Sequence, residues 1–92
     1  MIDKAKSVAE LLKVLANEYR LLALCALVEK PLTVNEIYEF TPNISKSALS
    51  QHLHHLKLYG IVDSNKNGLN VIYNIADERV LELLEVLKEK YC

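Results

Sequence analysis

Hydrophobic side chains recur along most of this chain at intervals of three and four residues, which places them on one face of an α-helix. The first such pattern predicts a helix over Lys4–Ala16. The second predicts a helix over Glu18–Lys30, with Asn17 as its N-cap and Pro31 as its stop. The apolar stripe of the first helix is formed by Val8, Leu11, Leu12 and Leu15. The apolar residues of the second helix are Leu21, Leu22, Leu24, Cys25 and Val28.

Two further helices are predicted next, and the first of them is short. Thr33 and Glu36 have the spacing of a capping box, and a proline ends this helix a few residues later. Asn43 or Ser45 caps the fourth helix, which ends at Gly60. A short helix joined by a tight linker to a longer one is typical of a helix-turn-helix unit.

After the fourth helix the pattern changes to that of β structure. Ile61-Val62 and Leu69–Ile75 are rich in β-branched and aromatic residues, and Asn67-Gly68 between them is a hairpin turn signal. Asp77 then caps a last helix, whose stripe is formed by Val80, Leu81, Leu83, Leu84, Leu87 and Tyr91. The order α-α-α-α-β-β-α predicts a mainly α protein with a β-hairpin wing, a winged helix-turn-helix, in one domain over residues 1–92.

The fourth predicted helix has two chemically distinct faces. Leu49, Leu53 and Leu56 form an apolar stripe, and no Asp or Glu occurs between Glu39 and Asp63. The other face carries uncharged side chains that donate and accept hydrogen bonds, namely Ser47, Ser50, Gln51 and His54. Such side chains suit hydrogen bonding to base edges in a DNA major groove, whereas a solvated face would use Glu and Lys.

Charge placement supports contact with double-stranded operator DNA, although the net charge of −1 does not. Residues 45–70 are net basic, whereas residues 77–92 are net acidic. We expect phosphate contacts from Ser45, Lys46 and Lys66, in addition to the base contacts of the fourth helix. Lys66 is the one basic residue of the wing. A winged-helix protein-interaction module that never touches DNA therefore stays open.

Other chemistry has little support in the sequence. Ser50 and His54 resemble a nucleophile and base but have no third partner, so no enzyme is expected. His52 and His55 have no third ligand at a supporting spacing, so neither a metal nor a cofactor is expected, and His52 is expected at the edge of the core. No apolar run could span a bilayer and the N-terminus is charged, which predicts a cytoplasmic protein without a membrane segment.

Two segments carry a family resemblance. LANEYRLLAL, which leads into the second helix, and SALSQHLHHLKLYGIV, which covers the fourth helix and the start of the wing, resemble the ArsR/SmtB family of bacterial winged-helix repressors. The resemblance covers about Leu11 to Tyr91. It implies a homodimer joined through the first and last helices, which represses an operator until an inducer is sensed.

Within that family, the metal sites are missing from this sequence. Residues 32–36 have no Cys and the last helix has no His, so the thiolate and imidazole ligands of the family's metal sensors are absent. Cys25 in ALCAL and the terminal Cys92 resemble the dithiol branch of BigR, SqrR, HlyU and YgaV-like proteins. This implies a redox-sensing pair that reactive sulfur or oxidants bridge, after which the repressor leaves DNA. A regulator with another or no inducer and spectator thiols stays open.

Overall fold

The computed structural model describes residues 2–91 and contains, in that range, five helices and three short strands. The elements are α1 (Ile2–Leu15), α2 (Glu18–Glu29), β1 (Leu32–Thr33), α3 (Val34–Tyr38), α4 (Lys46–Leu58), β2 (Val62–Asn67), β3 (Asn70–Ile75) and α5 (Glu78–Tyr91). The predicted architecture, mainly helical with an antiparallel hairpin between α4 and α5, is confirmed. None of the described helices is long and apolar enough to cross a bilayer.

Side-chain caps begin the helices where the sequence predicts them. The Asn17 side chain accepts two backbone N–H groups of the first turn of α2. Thr33 and Glu36 form the reciprocal bonds of a capping box at α3. Of the two candidates for α4, Ser45 is the N-cap, because its hydroxyl oxygen accepts the Ala48 N–H at 3.0 Å. These bonds satisfy backbone donors that a helix start leaves without partners.

Gly60 ends α4 as predicted. Its φ of 73° lies in the left-handed region, which glycine adopts without a steric penalty. The Gly60 N–H donates to the Lys57 carbonyl, and the Ile61 N–H donates to the Leu56 carbonyl. This pair of bonds is a Schellman motif, and it turns the chain directly into the wing.

The sheet differs from the predicted hairpin by one strand. It has three strands in the order β1-β3-β2, and β1 pairs with β3 through Leu32↔Tyr73 and Thr33↔Ile72. A strand of two residues has too few positions to show an alternating pattern, so the sequence did not reveal it. This pairing attaches the inner strand of the wing to the segment that leads into α3.

The wing is also longer than predicted. Residues 63–67 are strand rather than loop, because their backbone pairs with β3 although their side chains are polar. Asn67 pairs with Asn70, so the turn is Gly68-Leu69 and not Asn67-Gly68. Gly68 has a φ of 66° and Leu69 has no positive φ, the combination of a type II′ turn.

The core lies where α2, α3, α4, the sheet and α5 meet. Leu49, Leu53 and Leu56 are fully buried in it, as their spacing predicted. They pack with other fully buried side chains from neighbouring elements, among them Leu24, Ile37, Ile61, Val80 and Leu84. Because one stripe of α4 is fixed inward, its polar stripe must face outward.

The apolar stripe of α1 is only partly used by this core. Val14 and Leu15 are buried, whereas Val8 and Leu12 remain about half exposed. Val86 on α5 is also about half exposed. Packing within one chain therefore leaves apolar surface on both of the helices through which the family resemblance implies a dimer.

Candidate nucleic-acid interface and thiol pocket

The outward face of α4 is open to a ligand. Ser47, Ser50, Gln51 and His54 are all exposed. Within residues 2–91, none of these four side chains forms a hydrogen bond with another part of the protein. The donors and acceptors of this face are therefore available to form hydrogen bonds with water or with another molecule.

The predicted phosphate-contacting residues lie at the beginning of α4 and on the wing. Ser45 and Lys46 are exposed, and the Lys46 ammonium lies 5.6 Å from the centre of the Tyr38 ring. That contact orients Lys46 without burying its charge. Lys66 is exposed on β2, opposite Val71.

The wing tip and the first turns of α4 share one cleft. Lys46 and Ser50 line it from α4, and the turn residue Leu69 lines it from the wing. At the other end of α4, the Lys57 ammonium donates to the Ser64 hydroxyl at 2.7 Å. The structure therefore places the wing tip beside the first turns of α4 across a cleft, and a hydrogen bond links the wing to the last turn of α4.

Arg20 connects α1 to α4, a contact that the sequence did not reveal. Its guanidinium donates to the Val14 carbonyl at 2.9 Å and, through Nε, to His52 Nδ1 at 3.2 Å. His52 is half-buried, as predicted, and stacks near Tyr19. Because Nδ1 accepts this bond, His52 is neutral and carries its proton on Nε2. One side chain thus ties the end of α1 to the middle of α4.

This contact predicts a pH dependence of stability. Burial lowers the pKa of His52 from its ordinary 6.5, and the charges of Arg20 and His55 lower it further. The unfolded chain therefore binds this proton at higher pH than the folded one. Neutral His52 contributes its full stabilisation to the folded state above about pH 6.5. This contribution is lost as the pH falls below that value, and the free energy of unfolding then decreases by at most about 1.4 kcal/mol per pH unit for one proton.

Urea unfolding at about pH 7.5 and about pH 5.5 measures this effect. The loss of unfolding free energy on acidification should be smaller in His52→Gln than in the unmodified protein. Three carboxyls also have lowered pKa values, from 4.5 for Glu29 and Glu36 and from 3.8 for Asp77. Because these carboxyls titrate below about pH 5.5, they do not account for the loss between the two pH values. An equal loss in both proteins would contradict the assignment to His52.

Cys25 lines a pocket of about 300 Å³ beside α2. Cys25 itself is half-buried. The other apolar side chains that line this thiol pocket are Leu22, Ala26, Leu32 and Phe40. Three charged side chains complete it: Glu29, Lys30 and Lys88.

An ion pair joins the ends of α2 and α5 at this pocket. The Lys88 ammonium donates to Glu29 Oε1 at 2.8 Å, and this hydrogen bond lowers the pKa of the Glu29 carboxyl. Glu29 lies four residues after Cys25, and Lys88 lies four residues before Cys92. The other predicted thiol, Cys92, is outside the described residues. Among residues 2–91, no group of three or more His, Cys, Asp or Glu is arranged to hold a metal ion.

Comparison with known proteins agrees with this architecture. Residues 17–64 match the family described as "Bacterial regulatory protein, arsR family". The chain is 40% identical over 90 residues to the transcriptional activator HlyU of Vibrio cholerae, covering 98% of this chain and 82% of that protein. It is 35% identical to the biofilm growth-associated repressor of Agrobacterium fabrum, covering 100% of this chain and 78% of the repressor.

Solved structures give the same result. Reduced HlyU from V. cholerae superposes with a TM-score of 0.86 at 40% identity, covering 98% of this chain and 93% of that one. The homodimeric winged helix-turn-helix DNA-binding domain Mb0332 of Mycobacterium bovis superposes with a TM-score of 0.80 at 30% identity, covering 95% and 80%.

Proposed function

This chain belongs to the ArsR family of bacterial regulatory proteins, and we propose that it is a DNA-binding transcriptional repressor that acts as a homodimer. The observation that carries the proposal is the outward face of α4. Its four uncharged polar side chains are exposed and have no intramolecular hydrogen bonds in the described chain. Because the family consists of DNA-binding regulators, DNA is the ligand that we assign to this face.

The roles of individual side chains follow from their positions. Ser47, Ser50, Gln51 and His54 project from the middle of α4 and contact base edges in the major groove. Ser45 and Lys46 at the start of α4, together with Lys66 on the wing, contact phosphates, which set orientation without reading sequence. The shared cleft between the wing tip and α4 lets both elements approach one duplex together.

The dimer uses the apolar surface that the monomer leaves exposed on α1 and α5. Val8, Leu12 and Val86 are each about half exposed, and burying them against a second copy removes apolar area from water. The homodimeric state of the M. bovis structure supports this arrangement. A two-fold dimer presents two copies of α4 to successive major grooves, about 34–36 Å apart along the duplex.

A mobility shift over a range of salt concentrations tests DNA binding. The probe is a duplex that the protein itself selects from a random library. We expect binding that weakens steeply as salt rises, because phosphate contacts release counterions. The absence of any salt-dependent shift would instead favour the protein-interaction module.

The finer part of the proposal is that Cys25 and Cys92 form the switch that releases the operator. The Glu29–Lys88 ion pair holds the end of α5 at the thiol pocket. Cys92 follows Lys88 by only four residues in the sequence, and this short separation supports pairing it with Cys25. To close the bridge, the Cα atoms of Cys25 and Cys92 must come within about 7 Å of each other.

The chemistry needs a persulfide or a peroxide as its co-reactant, and the persulfide route has two steps. The Cys25 thiolate attacks the outer sulfur of R–S–SH, which forms Cys25–S–SH and releases RS⁻. The Cys92 thiolate then attacks the Cys25 sulfur, which forms the disulfide and releases HS⁻. With a peroxide the intermediate is Cys25–SOH, and water leaves when Cys92 closes the bridge. A bridge fixes α5 to α2, and the dimer shifts to a population in which the two α4 helices no longer match the operator.

A further inference from the structure

The thiol pocket has the size and lining of a small-molecule site. Its volume of about 300 Å³ is at the lower end of the range for ligand pockets, so it suits a compact molecule. Leu22, Ala26, Leu32 and Phe40 form apolar walls around Cys25. A reactant that reaches Cys25 through this pocket therefore contacts these apolar side chains.

The charges at the pocket favour an acidic reactant. Glu29 and Lys88 pair with each other at 2.8 Å and so neutralise one another. Lys30 is exposed, forms no ion pair in residues 2–91 and adds a further positive charge to the lining, and this charge also lowers the pKa of the Glu36 carboxyl. The lining thus combines apolar walls with one ion pair and one further cation.

We propose that this pocket binds the organic part of the sulfur donor, and that it selects small organic persulfides with an apolar body and an acidic group. An inorganic persulfide anion has no carbon skeleton, so it gains no apolar contact in the pocket. An organic persulfide buries its carbon skeleton against Phe40 and Leu22, and places its acidic group near Lys30. The sulfur transfer to Cys25 is the step written above, so this inference rests on the proposed thiol switch.

The experiment compares two donors on one thiol. In a Cys92→Ser background the reaction stops at Cys25–S–SH, and quenched intact-mass spectrometry follows its formation. The donors are N-acetylcysteine persulfide and inorganic disulfide, HSS⁻. Phe40→Ala removes an exposed apolar wall and Lys30→Glu reverses the cation, whereas Phe40→Leu keeps an apolar wall.

We expect the ratio of the organic rate to the inorganic rate to fall by about fivefold or more in Phe40→Ala and in Lys30→Glu. The ratio should be kept in Phe40→Leu. It should also be kept in two matched controls at exposed positions outside the pocket, Leu58→Ala and Lys6→Glu.

Three results would overturn the inference. An unchanged ratio in Phe40→Ala and Lys30→Glu means that the pocket does not select the donor, although the switch itself stands. If the organic and inorganic rates fall by the same factor in these two variants, their ratio is preserved. Phe40 and Lys30 would then affect only the reactivity of the Cys25 thiol and not the choice of donor. Failure of Cys25 to react with either donor removes the switch and the pocket site together.

Discussion

Replacing Gln51 with alanine is expected to weaken operator binding by at least about tenfold, because one base contact is worth about 1–3 kcal/mol and a dimer loses two. Gln51 lies in the middle of the exposed face of α4 and makes no hydrogen bond within the described chain. Its loss should therefore leave folding stability nearly unchanged. Fluorescence anisotropy with a labelled operator measures the affinity, and thermal unfolding measures the stability.

Lys66→Gln is the matched comparison for this prediction. It removes a phosphate contact, so binding to operator and to unrelated duplexes should weaken alike, and the salt slope should fall by about one per removed contact. Gln51→Ala should instead weaken operator binding more than binding to unrelated duplexes. Equal effects of Gln51→Ala on both kinds of DNA would contradict base reading by this residue.

Replacing Cys25 with serine is expected to abolish release by persulfide and to leave DNA affinity within about twofold, since the change is nearly isosteric and removes no residue of the DNA-facing surface. Cys25 lines the thiol pocket on α2 and takes no part in the polar face of α4. Serine nearly preserves the volume but supplies no thiolate to attack a sulfur donor. The measurement is operator occupancy by mobility shift before and after treatment with an organic persulfide.

Cys92→Ser separates the two thiols in this experiment. It should still acquire sulfur at Cys25 but should stay on DNA, because no bridge to α5 can close. Release of Cys25→Ser by the same treatment would contradict the thiol switch. It would leave a DNA-binding regulator whose inducer acts elsewhere.

The helices could be predicted from the sequence because their evidence is local. Leu49, Leu53 and Leu56 repeat at helical spacing, and Asn17 and Ser45 carry the short polar side chains that cap a helix start. The polar face of α4 follows from the same spacing. Its exposure was therefore predictable from the stripe that the core must bury.

The missed features depend on contacts distant in sequence. The strand β1 exists because residues 32 and 33 meet β3, about forty positions later. Arg20 and His52 are separated by 32 positions, so no local pattern could pair them. The thiol pocket likewise combines α2, β1, Phe40 and α5. For these features the sequence supplied the side chains, and tertiary packing supplied the site.

The most direct test of the proposed function joins two measurements on one sample of the unmodified protein. Intact mass under non-reducing conditions reports the thiols, and a mobility shift with operator DNA reports binding, both before and after an organic persulfide. We predict a disulfide that consumes the thiols of Cys25 and Cys92, together with loss of the protein–DNA complex. Unchanged thiols, or a complete bridge with DNA still bound, would contradict it.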